Sequence, residues 1–260
     1  MAAVAKFALF AGSKVSYESY GEGDEALVFI HGWTCDSSLW FLQMPLYQKY
    51  RSILIDLPGH GKSDAPSNDY HHEMFSEAIE QVLLQESIST AVMVGHSMGG
   101  PISEMLLRQA PELVKGIVFV DSFFRTPQHY LTIKERKDLA ERLRGDQFAT
   151  FFAGGWTENS TKEEQEMVTR VSMSTPEHVR ISACTTNSIP HAYAGDEIYN
   201  IPALQIGVSP EPVDKLWHYH FPLLEVEVWS GLSHFLFLEQ PERLNATVES
   251  FLERYRLFRV

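Results

Sequence analysis

Cysteine is nearly missing from this 260-residue chain: there are two, Cys35 and Cys184, far apart in sequence. That excludes a disulfide framework and any zinc-finger spacing, and it reads as two free thiols in a reducing compartment. Positive charge is the second shortage. Lysine and arginine number 21 against 34 aspartates and glutamates, a formal net charge of −13, which argues against nucleic acid or an anionic membrane as a partner. Long apolar runs are the third. No stretch approaches the roughly 20 residues that span a bilayer, and there is no internal repeat or low-complexity tract. The mildly apolar start, Met1 to Gly12, is interrupted by Lys6 and leads straight into the alternating Lys14-Val15-Ser16-Tyr17-Glu18-Ser19-Tyr20. It therefore reads as a hairpin, Lys6–Phe10 with Val15–Tyr20, and not as a signal peptide. A cytoplasmic protein is expected, in which the sequons at Asn159 and Asn245 arise by chance.

What is present is an ordinary globular composition, 44% hydrophobic and 21% charged, enough for one large core or one core with an insertion. From residue 25 onward strands and helices alternate, the pattern of a mostly parallel sheet covered on both faces. The strands expected are Ala26–His31, Ser52–Asp56, Ala91–Gly95, Lys115–Val120, Ala203–Gly207 and Glu225–Trp229. Phe75, Ala78, Ile79, Val82 and Leu83 make a helical stripe, as do Leu244, Val248, Phe251, Leu252 and Tyr255 behind Pro241. Residues 123–198 break the alternation. They read as a helical insertion, with helix starts at Thr161 with Glu164 and at Ser174 with Pro176 and Glu177. Between two sheet strands, such an insertion would lie over the carboxyl ends of the sheet, where α/β folds bind ligands. The expected division is a core of 1–122 and 199–260 with a cap of 123–198.

The chemistry starts at Gly95-His96-Ser97-Met98-Gly99, which follows the apolar run Thr90–Val94 and precedes the amphipathic Ile102–Leu107. That is strand, sharp turn and helix with a serine at the apex, and the flanking glycines let helix and strand pack closely. A free serine hydroxyl is a weak nucleophile and needs a base, an orienting acid and an oxyanion site. Three further stretches line up with it: His31-Gly32-Trp33 after the first core strand, Asp56-Leu57-Pro58-Gly59-His60-Gly61-Lys62-Ser63 after the second, and Gly231-Leu232-Ser233-His234-Phe235 after the last.

In this order and at these spacings the four motifs resemble the α/β-hydrolase superfamily over essentially the whole chain. The resemblance implies an α/β-hydrolase fold: a mostly parallel eight-stranded sheet with helices on both faces and a helical cap insertion. It also implies roles. Ser97 would be the nucleophile and His234 the base that takes its proton and returns it to the leaving group. The backbone N–H groups of Trp33 and Met98 would form the oxyanion hole, where one donor is worth about 2.7–4 kcal/mol in related chemistry. Of 11 histidines, only His234 stands in the loop that reaches the nucleophile in this topology. His96 reads as packing, His31 and His60 as supports of their loops, and Asp56 as the anchor of its turn. His71-His72 and His218-Tyr219-His220 lack the further ligands of a metal site, so none is expected.

The acid departs from the commoner family pattern, in which it follows the seventh strand. Here Ala203–Gly207 is followed by Val208-Ser209-Pro210-Glu211-Pro212-Val213-Asp214, whereas the sixth strand ends in Asp121, a position some members use. Neighbouring strands lie about 4.8 Å apart, so an acid on either can reach the last loop. Asp121 is favoured, Glu211 is the alternative and Asp214 the third choice. For the substrate pocket the candidates are Phe123, Phe124, His129, Trp156, His191, Tyr193 and Phe235, with Phe148, Phe151 and Phe152 adding apolar surface. The reading is a serine hydrolase of small apolar or aromatic esters or lactones, without cofactor, monomeric or homodimeric. Two alternatives share the fold: a cofactor-independent dioxygenase or carbon–carbon bond hydrolase, and a ligand receptor with vestigial hydrolysis.

Overall fold

A computed structural model describes residues 4–122, 131–148, 156–186, 197–209 and 215–259. Its frame is one eight-stranded sheet: β1 (Val4–Phe10), β2 (Ser13–Tyr20), β3 (Glu25–Ile30), β4 (Ser52–Ile55), β5 (Thr90–His96), β6 (Val114–Val120), β7 (Ala203–Gly207) and β8 (Leu224–Val228). Spatial order is β1-β2-β4-β3-β5-β6-β7-β8. β1 and β2 form the antiparallel hairpin expected from their alternation, and β2 joins β4 antiparallel. Every later pairing is parallel. The central strands are continuous β-branched and aliphatic runs because both of their faces are covered. β8, at the edge, alternates instead, with Val226 and Val228 exposed.

On one face lie α2 (His72–Gln85), α3 (Gly99–Gln109) and α7 (Lys215–His220), with Phe75, Ile79, Ile102, Leu106 and Phe221 in the core. On the other lie a 3-10 helix (Ser37–Gln43), α1 (Met44–Lys49), α8 (Leu236–Glu239) and α9 (Pro241–Arg254), which bury Trp40, Leu244, Val248 and Phe251. The chain passes the carboxyl ends of β5, β6 and β8 between these layers, and this is where every turn motif of the sequence comes together.

Between β6 and β7 the described residues form α4 (Ile133–Arg142), α5 (Lys162–Ser174) and α6 (Glu177–Thr186). Thr132 with Glu135 and Thr161 with Glu164 each close a full capping box, as the Thr161 pattern predicts. The helix start expected from Ser174, Pro176 and Glu177 is present as α6, which begins at Glu177, but Ser174 is not its cap. Ser174 is the last residue of α5, and its hydroxyl donates back to the Val171 carbonyl. The periodic run of α5 simply continues through it, and a serine hydroxyl can return to its own helix as readily as cap the next. α6 is tied to the core: Val179 is fully buried, and a Cβ at Gly59 would lie 2.6 Å from its Cγ1.

Candidate active site

Ser97 sits immediately after β5 with φ of +51°, a conformation that costs an L residue about 1–3 kcal/mol and persists only where the surroundings impose it. The surroundings do so here. Cβ atoms at Gly95 and Gly99 would lie 2.5 Å from the Gly99 carbonyl and 2.4 Å from the Ile30 carbonyl oxygen, respectively. Only glycines let α3 approach the ends of β3 and β5 so closely. The Ser97 N–H continues the ladder to the Val120 carbonyl at 3.0 Å, while the Ser97 carbonyl accepts from the Ser122 hydroxyl at 2.7 Å.

Asp121 follows β6 and is also strained, at φ +39°. Its N–H bonds the Ile206 carbonyl at 2.7 Å. Its carboxylate is engaged at both oxygens: Oδ1 accepts the Val208 N–H at 2.9 Å, and Oδ2 lies 2.6 Å from His234 Nδ1. A hydrogen bond that short between a ring N–H and a carboxylate is of the charge-assisted kind. The His234 side chain is 41% exposed and that of Asp121 17%, so the ring faces open space while the acid behind it is shielded.

His234 is held by its own loop and by its neighbours. Glu239 accepts the Ser233 N–H at 2.8 Å and the Ser160 hydroxyl. Asn159 donates to the Gly231 carbonyl at 2.7 Å. The segment ahead of α5 therefore braces the histidine loop. His96 Nε2 lies 2.9 Å from the His234 carbonyl oxygen, so the residue before the serine reaches the loop after β8.

The Gly32-Trp33 loop packs on the same spot, since a Cβ at Gly32 would come within 3.1 Å of Ser97 Cβ. His31 holds this loop. Its Nε2 accepts the Leu57 N–H at 3.0 Å, which leaves Nδ1–H to donate to the Gly32 carbonyl at 2.8 Å; burial keeps this ring neutral by pushing its pKa down. Asp56 anchors the next turn by accepting the Ser37 and Lys62 N–H groups. His60 bonds its own turn at the Pro58 carbonyl and is pushed down to about 3 by burial and by His31. Trp33 is clamped from the side of the insertion. Its indole N–H donates to the Arg180 carbonyl at 2.9 Å, and its ring meets Phe148 edge-on.

Of the expected pocket residues, Trp156 is half-buried and stacks on buried Phe235 at 5.3 Å between ring centres, and Phe235 in turn lies 5.3 Å from the His96 ring. Phe148 is fully buried against Trp33 and under the Arg180 guanidinium, so it packs the insertion. Phe123, Phe124, His129, Phe151, Phe152, His191, Tyr193, Glu211 and Asp214 lie outside the described residues. Among the described residues no three His, Cys, Asp or Glu side chains converge as a metal site, and no helix is long and apolar enough to cross a membrane. Sequence reasoning missed Ser122, whose hydroxyl supports the serine turn, and Gln205, whose amide donates to the Ser122 carbonyl at 3.2 Å. The one signal for the first is Gly100, where a Cβ would lie 1.9 Å from Ser122 Oγ.

Comparison with known proteins agrees with this architecture. The family model described as alpha/beta hydrolase fold matches residues 25–167. The pimeloyl-[acyl-carrier protein] methyl ester esterase of Yersinia enterocolitica is 25% identical over 252 residues, 90% of this chain and 95% of its own length. The dihydrolipoyllysine-residue acetyltransferase component of the acetoin cleaving system of Cupriavidus necator is 33% identical over 120 residues, 46% of this chain but only 32% of that longer protein. Among solved structures, an esterase from Exiguobacterium antarcticum superposes with a TM-score of 0.85 at 22% identity, covering 96% of this chain and 100% of that one. With more than half of its length inside the family model, and with the sheet order and serine turn described above, the chain belongs to the alpha/beta hydrolase fold family.

Proposed function

We propose that this protein hydrolyses carboxylic esters through a serine acyl-enzyme, with Ser97 as nucleophile, His234 as base and Asp121 as the orienting acid. The observation that carries the reading is the 2.6 Å contact of Asp121 with His234 Nδ1 at the strand end next to the strained Ser97. That contact puts the proton on Nδ1 and leaves Nε2 as the free base. Ser97 Oγ attacks the ester carbonyl carbon while His234 Nε2 takes its proton. The developing oxyanion is received by the N–H groups of Trp33 and Met98. Collapse breaks the carbon–oxygen bond to the alcohol, which leaves with the proton from His234. Water then repeats the sequence on the acyl-enzyme and frees the acid. Nothing in these steps calls for a metal or cofactor.

Residues 123–198 are proposed as a cap, and the aromatic Trp156 on Phe235 as part of the acyl or alcohol pocket, which suits a small apolar or aromatic ester or lactone. The name of the Yersinia relative, a methyl ester esterase, points the same way. The strain stored at Ser97 speaks against a bystander serine, as a dioxygenase of this fold would have. The test is a panel of activated acetate, butyrate and benzoate esters and simple lactones, assayed on wild type and Ser97→Ala. Hydrolysis of at least one ester that falls by 10³-fold or more in Ser97→Ala is expected, by order of magnitude. Wild-type-like turnover in Ser97→Ala would discard the reading.

A further inference from the structure

We infer that His96 is a positioning residue for the base: its Nε2–H, donated to the His234 carbonyl, fixes where the His234 ring stands beside the serine turn. This rests on the serine-hydrolase reading and adds a residue to it. His96 is 1% exposed. Its Nε2 lies 2.9 Å from a carbonyl oxygen, which has no proton to give, so Nε2 carries the hydrogen. Nδ1 is then a bare acceptor, and it is buried with no partner.

That arrangement breaks a local rule. The ring lies in an aromatic nest, 4.8 Å from Phe237, 5.3 Å from Phe235 and 6.4 Å from Trp40 between centres. A phenylalanine would fill such a nest without orphaning a polar nitrogen. Conflicts of this kind between a residue and its surroundings gather at functional sites. What histidine supplies and phenylalanine lacks is the single N–H to the loop after β8.

The geometry gives that bond a task. Asp121 grips His234 at Nδ1, which by itself lets the ring pivot about that contact. Pinning the backbone carbonyl of the same residue supplies a second fixed point, and Nε2 is left with one place to be. His96 touches the site's other parts as well. It precedes Ser97 in the chain, its ring is 4.5 Å from that of His234, and a Cβ at Gly32 would lie 2.8 Å from Nδ1. Nucleophile turn, oxyanion loop and histidine loop therefore meet on one imidazole. The titratable groups facing it are His234 from the loop after β8 and His31 from the end of β3, with Asp121 behind His234. Burial, with His234 and His31 adding to it, keeps His96 neutral across the working range, so it holds its position without taking part in proton transfer.

The test compares wild type, His96→Phe, His96→Gln and Ser97→Ala on one activated acetate ester, per active site titrated with a fluorophosphonate where Ser97 is kept and per folded chain for Ser97→Ala. Phenylalanine keeps the ring and removes the donor, and glutamine restores a donor at similar reach. His96→Phe should lower kcat about ten- to hundredfold with KM within about threefold, the size of effect expected from an ångström-scale misplacement. His96→Gln should recover most of the loss. In proton NMR the far-downfield His234 Nδ1–H signal should broaden in His96→Phe and return in His96→Gln, which a purely structural role would not produce. If His96→Phe does not fold, His96→Met, similar in length and without a donor, takes its place against glutamine. A folded donor-less variant with wild-type kcat, or a glutamine variant equally impaired, overturns the inference. Ser97→Ala separates the two levels: should it stay active, the esterase reading falls, and should it be dead while His96→Phe is active, only the role of His96 falls.

Discussion

Replacing Asp121 with asparagine asks the most of the site, because both carboxylate oxygens are already committed to donors. Oδ1 accepts the Val208 N–H at 2.9 Å and Oδ2 faces His234 Nδ1 at 2.6 Å. An amide has one acceptor and one donor end. With its oxygen toward Val208, its NH₂ faces Nδ1 and favours the tautomer whose Nε2 carries the hydrogen and cannot deprotonate Ser97. With its oxygen toward His234, its NH₂ points at the Val208 N–H, two donors in a shielded spot, at a cost of about 1–3 kcal/mol. The first orientation loses the catalytic tautomer, and the second keeps it only at that cost and without the carboxylate's charge. The same replacement in serine proteases lowers kcat by about 10⁴, equivalent to about 5.4 kcal/mol of barrier. Steady-state hydrolysis of an activated ester should therefore fall about 10³- to 10⁴-fold in Asp121→Asn, with a fluorophosphonate labelling rate depressed in parallel and a circular-dichroism spectrum like that of wild type. Glu211→Gln should lose less than about tenfold. A folded Asp121→Asn protein within about tenfold of wild type, or a larger loss in Glu211→Gln, would refute the assignment of the acid.

Trp156→Ala removes the ring stacked on Phe235. It should reorder a series of acyl esters while changing a minimal acetate ester by less than about threefold; a uniform drop across the series would mean that the ring packs and does not select. Stability should fall in acid. His60, buried and pushed down to about 3, stays neutral when folded but takes a proton near 6.5 when unfolded. Its contribution is complete above about 6.5 and is lost as pH falls toward 3, at up to about 1.4 kcal/mol per pH unit. Urea melts between pH 7 and 4 check this, and His60→Gln should flatten the slope. Glu104 has the opposite sign, since burial pushes it well up: its contribution is present in acid and is lost as pH rises. Glu104→Gln should accordingly stabilise more at pH 8 than at pH 5.

Much of this was legible because it is local in sequence. Ser97, His234 and His31 each stand in a glycine-containing turn that follows a strand pattern, and those patterns survive any uncertainty about how strands are ordered. Asp121 is legible for the same reason, since it directly follows the apolar strand Val118-Phe119-Val120, whereas Glu211 and Asp214 are alternatives in the loop after β7. The positive φ of Asp121 adds a separate sign that residue type alone does not carry. His96 was legible only in part. Adjacent side chains at a sharp turn do point apart, so packing was the correct expectation, but the direction away from Ser97 is where a loop 138 residues later passes. No local pattern encodes that meeting. Ser174 with Pro176 and Glu177 does mark a helix start, since α6 begins at Glu177, but the preceding periodic run keeps Ser174 itself inside α5. Ser122 and Gln205 were hidden because their partners are main-chain carbonyls brought close only by the sheet.

In the proposed reaction Ser97 is the nucleophile and His234 activates it. Treating the folded protein with a fluorophosphonate and measuring intact mass and peptide masses reads this out at the residue itself. One adduct per chain is predicted, on the peptide that carries Ser97. It should be absent from Ser97→Ala and form at least about a hundredfold more slowly in His234→Ala. An unmodified folded protein, or an adduct on any other residue that survives Ser97→Ala, would mean that Ser97 is not the nucleophile.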